Sequence, residues 1–122
     1  MAIFKFGNFE TEIDTSDFDF MQKYEEAEKR AQEEERDAKK DGAYSEIIEG
    51  QYSVIFSFFD SVFGAGTSEM MFEGKKNIRL CNRAIGEFND AVFSDASALA
   101  DEISATATKY TGSREQRRRT KK

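Results

Sequence analysis

The spacing of hydrophobic positions along this chain changes near Ser16, from a period of two to a helical one, and the change separates a hairpin from a set of helices. Between Ala2 and Ile13, apolar and charged residues alternate around Gly7-Asn8. A two-residue turn there sets Phe6 opposite Phe9, Phe4 opposite Thr11 and Ala2 opposite Ile13 on one face, with Lys5 opposite Glu10 and Ile3 opposite Glu12 on the other. A two-stranded hairpin is marginal by itself, so its apolar face is expected to lie on the helices. Ser16, with Asp19 three residues later, resembles a capping box that opens the first of them.

From Asp17 to about Lys40 the inner stripe is Phe20, Tyr24, Ala27, Ala31 and Ala38, and charged residues fill most of the positions between. The stripe thins from aromatic to alanine. The second half, AQEEERDAKK, therefore reads as a solvated helix edge, as a close alanine contact, or as an acidic face offered to a basic partner. After Asp41-Gly42, Tyr44 to Phe63 is the most apolar element. Ile48, Ile55, Phe59 and Val62 form its stripe, Phe56, Phe58 and Phe63 widen it, and Ser53, Ser57, Asp60 and Ser61 gather on the remaining side. Such a helix has two sides to cover, one by the helix before it and one by the chain after it.

Gly64-Ala65-Gly66 ends that helix, and Thr67 or Ser68 can cap a short turn carrying Met70, Met71 and Phe72 before the break at Gly74. Ile78, Cys81, Ile85, Phe88, Val92, Leu99 and Ile103 then predict a long helix from about Lys76 to about Thr108, with small residues at Ser94-Asp95 where it can kink. The predicted fold is mainly α: a helical bundle of about three long helices plus a short helix, with an N-terminal β-hairpin. One domain is expected over residues 1–111, with the hairpin at 2–13 and a flexible basic tail at 112–122.

Charge adds a division that hydropathy does not show. The 122 residues carry a net charge of −6, yet residues 112–122 hold six of the 18 Lys and Arg and one of the 24 acids, so the tail is +5 and the body −11. An acidic body repels phosphate, so nucleic acid is not expected as a partner unless the tail alone supplies the affinity. Arg114, Arg117, Arg118 and Arg119 suit carboxylates as well as phosphates, and no aromatic lies among them to stack on bases. The tail reads as a solubilising end, a docking arm for an acidic protein surface, or a nucleic-acid arm. No run is apolar enough to span a membrane, and a soluble protein of the cytoplasm is expected.

The candidate chemistry is sparse. The chain has no histidine and one cysteine, which removes the commonest general base and metal ligand. Cys81 sits among apolar residues at helical spacing, as a buried side chain does. The stretch GAGTSEMMFEGKK lacks the third glycine of a dinucleotide fingerprint at Glu69, and Lys76 stands where a phosphate loop needs Ser or Thr. Asp14, Asp17 and Asp19 have no glycine and no spaced glutamate to complete a calcium loop, and fit the start of a helix better. The serines between Tyr44 and Phe63 have no evident activator. No catalytic, cofactor-binding or metal residue is assigned, and an enzyme is not expected.

The stretch FFDSVFGAGTSEMMFEGKKNIRLCNRAIGEF, the preceding charged helix, the N-terminal IFKFGNFETEID and the terminal REQRR together resemble small tail proteins of Gram-positive siphophages, of the tail assembly chaperone type. The resemblance implies a non-enzymatic helical protein of the host cytoplasm that escorts the tape measure protein, encoded beside it, while the tail tube assembles. It also implies a longer form made by ribosomal frameshifting near the C-terminus. A structural virion tail subunit and a small nucleic-acid-associated regulator acting through the tail are the alternative readings, and self-association is left open. Met70, Met71 and Phe72 are the candidate contact surface, since methionine and aromatic side chains adapt to varied partners, although a plug that closes the core is the stronger reading of the same residues. Arg114, Arg117, Arg118 and Arg119 are the second candidate contact.

Overall fold

A computed structural model describes the backbone of residues 1–120 and the side chains of residues 1–107. Strands β1 (Ala2–Phe6) and β2 (Phe9–Ile13) are followed by helices α1 (Phe18–Asp37), α2 (Tyr44–Phe63), α3 (Thr67–Phe72) and α4 (Ile78–Thr120). The protein is thus a bundle of three long helices and one short helix with a two-stranded antiparallel hairpin at its N-terminus.

The hairpin has the predicted register in all five pairs, from Ala2 opposite Ile13 to Phe6 opposite Phe9. Gly7 takes a φ of 60°, which a side chain resists, and leads the tight turn. Phe4, Phe6 and Ile13 are buried while Ile3, Lys5, Glu10 and Glu12 face solvent, so the apolar face does lie on the helices. The turn itself is clamped onto α3: the Asn8 backbone N–H donates to the Met70 carbonyl at 3.0 Å, and the Asn8 amide donates to Glu73 Oε1 at 2.8 Å. Arg83 of α4 covers the Phe6 ring at 5.2 Å, closing that end of the core with a cation over an aromatic face.

Phe88 of α4 is the centre on which the elements converge. Its ring centroid lies 5.3 Å from Phe4, 5.8 Å from Tyr24, 5.7 Å from Phe58, 5.6 Å from Phe59 and 5.6 Å from Phe63. Edge-to-face contacts dominate this cluster, the arrangement that ring quadrupoles favour. One strand and three helices therefore share a single aromatic core. Cys81 and Ala84 extend it along α4, and burial pushes the Cys81 thiol up to about 11. At neutral pH that sulfur is a protonated packing group, as its apolar spacing predicts.

Several boundaries differ from the sequence reading. The first helix is capped by Asp17, whose carboxylate accepts from the backbone N–H groups of Asp19 and Phe20, and not by Ser16. Ser16 instead donates to Asp14. Two adjacent residues could each cap, and the aspartate adds a charge that the helix N-terminus favours. Thr67 and Ser68 lie inside α3 behind Gly66, and the role assigned to them passes to Asp60 of α2, whose carboxylate accepts from the Ser68 N–H at 2.8 Å and from its hydroxyl at 3.0 Å. Asn77 opens α4 by accepting from the N–H groups of Arg79 and Leu80.

The serine stripe of α2 meets α1: Ser57 donates to Glu34 at 3.3 Å and Arg30 donates to Ser61 at 3.4 Å. Helix α4 runs unbroken through Ser94-Asp95 and its backbone continues past Thr108 to Thr120. Its 43 residues span about 65 Å, roughly twice the length of α1 or α2. From Ala96 to Ala107 every residue is exposed except half-buried Leu99.

Candidate functional site

A concave surface arises from the shrinking stripe on α1. Helices α1 and α4 both rest on α2. At Tyr24 an aromatic ring bridges them, reaching Phe58 on one side and Phe88 on the other. One turn later the inward position is Ala27, packed into the core, and after another turn it is Ala31, too short to continue the bridge. The result is a groove of about 700 Å³ between α1 and α4. Its floor includes Ile55 and Phe58 of α2 and its walls include Ala31, Ile85 and Val92.

The rim is acidic. Glu28 and Glu35, seven residues apart on α1, line the groove, and among the described lining residues there is no cation to balance them. On α4 the rim carries Phe93, 74 % exposed, beside Asn89. Burial, and after it the neighbouring Glu28, pushes the Tyr24 hydroxyl above its ordinary range, so that hydroxyl stays protonated. An apolar floor with an acidic rim suits an amphipathic helix that carries basic residues beside its apolar stripe. Among its described lining residues there is no serine, threonine, cysteine or lysine.

A second polar site lies at the middle of α4, where Asp95 is 6 % exposed. Its Oδ2 accepts from the Thr15 backbone N–H at 2.6 Å and from the Thr15 hydroxyl at 2.7 Å, and its Oδ1 pairs with the Met1 ammonium at 2.9 Å. These partners, Thr15 first, hold the Asp95 carboxyl down to about 2 from its ordinary 3.8. The residue thereby ties both ends of the hairpin to the helix.

A depressed folded-state pKa stabilises above the unfolded value and loses that contribution as pH falls through the folded one, so the relevant window is about pH 4 to 2. Asp95→Asn is expected to cost about 2 kcal/mol at pH 7, the scale of hydrogen bonds to a charged group. The gap should close as the pH is lowered through that window. Urea unfolding of both proteins across the window checks this, and a gap that does not change with pH would mean that the carboxylate charge has no role in the clamp.

The residues singled out from sequence separate in space. Met71 and Phe72 are buried core residues, Phe72 stacking on Phe56 with ring centroids 4.9 Å apart. Met70 is 49 % exposed and belongs to the α3 face that receives the hairpin turn. Met71 and Phe72 thus pack as core residues, and Met70 is left partly exposed. Arg114, Arg117, Arg118 and Arg119, with the rest of the 112–122 tail, have side chains outside the described residues. Neither the groove nor the Asp95 clamp was identified from the sequence, though the alanines at 27 and 31 and the small residues at 94 and 95 mark where each lies.

No curated protein and no solved structure matches the chain. No helix among the described residues is long and apolar enough to cross a membrane. Residues 7–121 match a protein family described as "Family of unknown function (DUF6673)". That match runs from the hairpin turn at Gly7 through the whole of α4, and the chain belongs to the DUF6673 family.

Proposed function

We propose that this protein is a tail assembly chaperone or closely related tail-morphogenesis protein, non-enzymatic and acting in the host cytoplasm, whose groove between α1 and α4 holds an amphipathic helical segment of the tape measure protein. The observation that carries the reading is the groove itself, an apolar floor of about 700 Å³ with Glu28 and Glu35 on its rim. A long helical client exposes one apolar stripe per segment before the tube closes around it. Many copies, each covering one segment through a shallow contact, hold such a client with high avidity while each copy stays releasable. The ordered sequence resemblance to tail chaperones supplies the identity of the client, and the groove supplies the chemistry of the contact.

The test is co-expression with the tape-measure-like product encoded beside it, followed by gel filtration with mass analysis. A shared, multi-copy peak is expected. Phe93→Glu places a charge on an exposed rim position, where the fold tolerates it, and is expected to weaken the shared peak at least tenfold. If the wild-type proteins elute apart, or if the neighbour stays insoluble, the reading fails.

A further inference from the structure

We propose that the groove of one copy is also the docking site for the far end of α4 of a second copy, so that the protein self-associates head to tail. The inference rests on the chaperone reading only in using the same groove. Two surfaces on one chain are complementary, and among the described residues neither is covered within that chain. The first is the groove, with Glu28 and Glu35 on its rim. The second is the α4 segment after Asp95, where Leu99, Ile103 and Ala107 recur every four residues on one helical face.

Ile103 is 61 % exposed, and with Leu99, Thr106, Ala107 and the carboxylate-bearing Glu102 it borders a shallow depression formed by α4 residues alone. The basic run comes next, Arg114, Arg117, Arg118 and Arg119 with two lysines after them, +5 over residues 112–122 in a chain whose remainder is −11. This is the pattern the groove suits: an apolar helical stripe continued by cations.

Geometry requires that the occupant come from another copy. Ala96 lies at the groove, and α4 continues as unbroken helix to Thr120, about 36 Å farther on. A continuous helix cannot turn back into the groove it helps to form. The groove runs along α1 from Tyr24 to Glu35, about 17 Å, and the stripe from Leu99 to Ala107, about 12 Å, fits within it; the cations begin about 10 Å past Ala107, beyond the groove's end, where at low ionic strength the acidic rim still attracts them. Such a contact is heterologous, since each docked pair retains one open groove and one free α4 end. The client and a neighbouring copy then compete for the same surface.

The experiment uses the full chain alone, so its failure leaves the client reading untouched. Sedimentation at low ionic strength is followed for the wild type, for E28K/E35K with the rim reversed, and for R117E/R118E/R119E with the tail reversed. The substituted rim positions are exposed, and matching far-ultraviolet spectra verify that each variant retains its helices. The wild type is expected to rise with concentration to at least twice its 13.9 kDa mass, and each variant to remain near that mass. An equimolar mixture of the two variants is expected to regain association, because the intact tail of one fits the intact rim of the other and the reversed tail likewise fits the reversed rim. A wild type that stays monomeric, a tail-reversed variant that associates as the wild type does, or a mixture that stays monomeric would each overturn the proposal.

Discussion

Replacing Phe88 with alanine is expected to lower the unfolding free energy by about 4 kcal/mol, within the range seen when a fully buried aromatic ring is truncated. Its ring is completely buried, and five other rings surround it from β1, α1 and α2. The size of the effect depends on how far neighbours can collapse into the space left behind. Here the neighbours sit on separate elements held apart by the hairpin and by one another, so collapse is limited and most of the cavity persists. For a domain with a typical total stability of about 5 to 15 kcal/mol, that loss removes a large share of the folded population's margin. Urea unfolding measures it. Phe18→Ala, at a residue 74 % exposed, is the control and is expected to change stability by less than about 0.5 kcal/mol. A loss at Phe88 no larger than about 1 kcal/mol would contradict its central position.

The second large effect is at Gly7. A Cβ there would stand 2.1 Å from the Met71 carbonyl oxygen and 2.9 Å from its carbon, with the Met70 oxygen at 3.0 Å. All three are backbone atoms, so no side-chain rotation relieves the clash. The φ of 60° adds a conformational cost of about 1 kcal/mol for any residue with a side chain. Gly7→Ala must push the hairpin turn off α3, which breaks the Asn8 to Met70 hydrogen bond and loosens the turn carrying Met71 and Phe72. The expected loss is about 3 kcal/mol or more, as for other overpacked and strained sites.

Gly86 offers the opposite sign within the same protein. A Cβ on that helical residue meets nothing within 4 Å, so Gly86→Ala is expected to stabilise by about 1 kcal/mol through helix propensity alone. If the two alanine variants proved equally stable in thermal unfolding, the close approach of the hairpin turn to α3 would be wrong.

Local pattern and tertiary distance carry different parts of this architecture. The period of two between Ala2 and Ile13, with Gly7-Asn8 between the strands, was enough to set every hairpin pair, because slipping the register by one residue would turn the phenylalanines to solvent. Helical spacing located the long helices, and the apolar residues one turn apart from Cys81 foretold its burial, because these are consequences of local geometry and composition. Helix ends were less legible. Asp17 and Ser16 are both competent caps, and the backbone of α4 continues for twelve residues past Thr108 without an apolar stripe to mark it.

What the sequence by itself determined, then, is a hairpin on a helical bundle with an acidic body and a basic end. Tertiary structure decided the rest. It buried Met71 and Phe72 while leaving Met70 half-exposed, because α3 meets the core along one side only. It made Asp95 a clamp by bringing Thr15 and the Met1 ammonium, each at least eighty residues away in sequence, to the two oxygens of one carboxylate. It opened the groove because α1 and α4 both rest on α2 and Ala31 is too small to span the gap between them. Each of these depends on distances between elements, and distance between elements is the quantity that a periodic pattern along one chain does not contain.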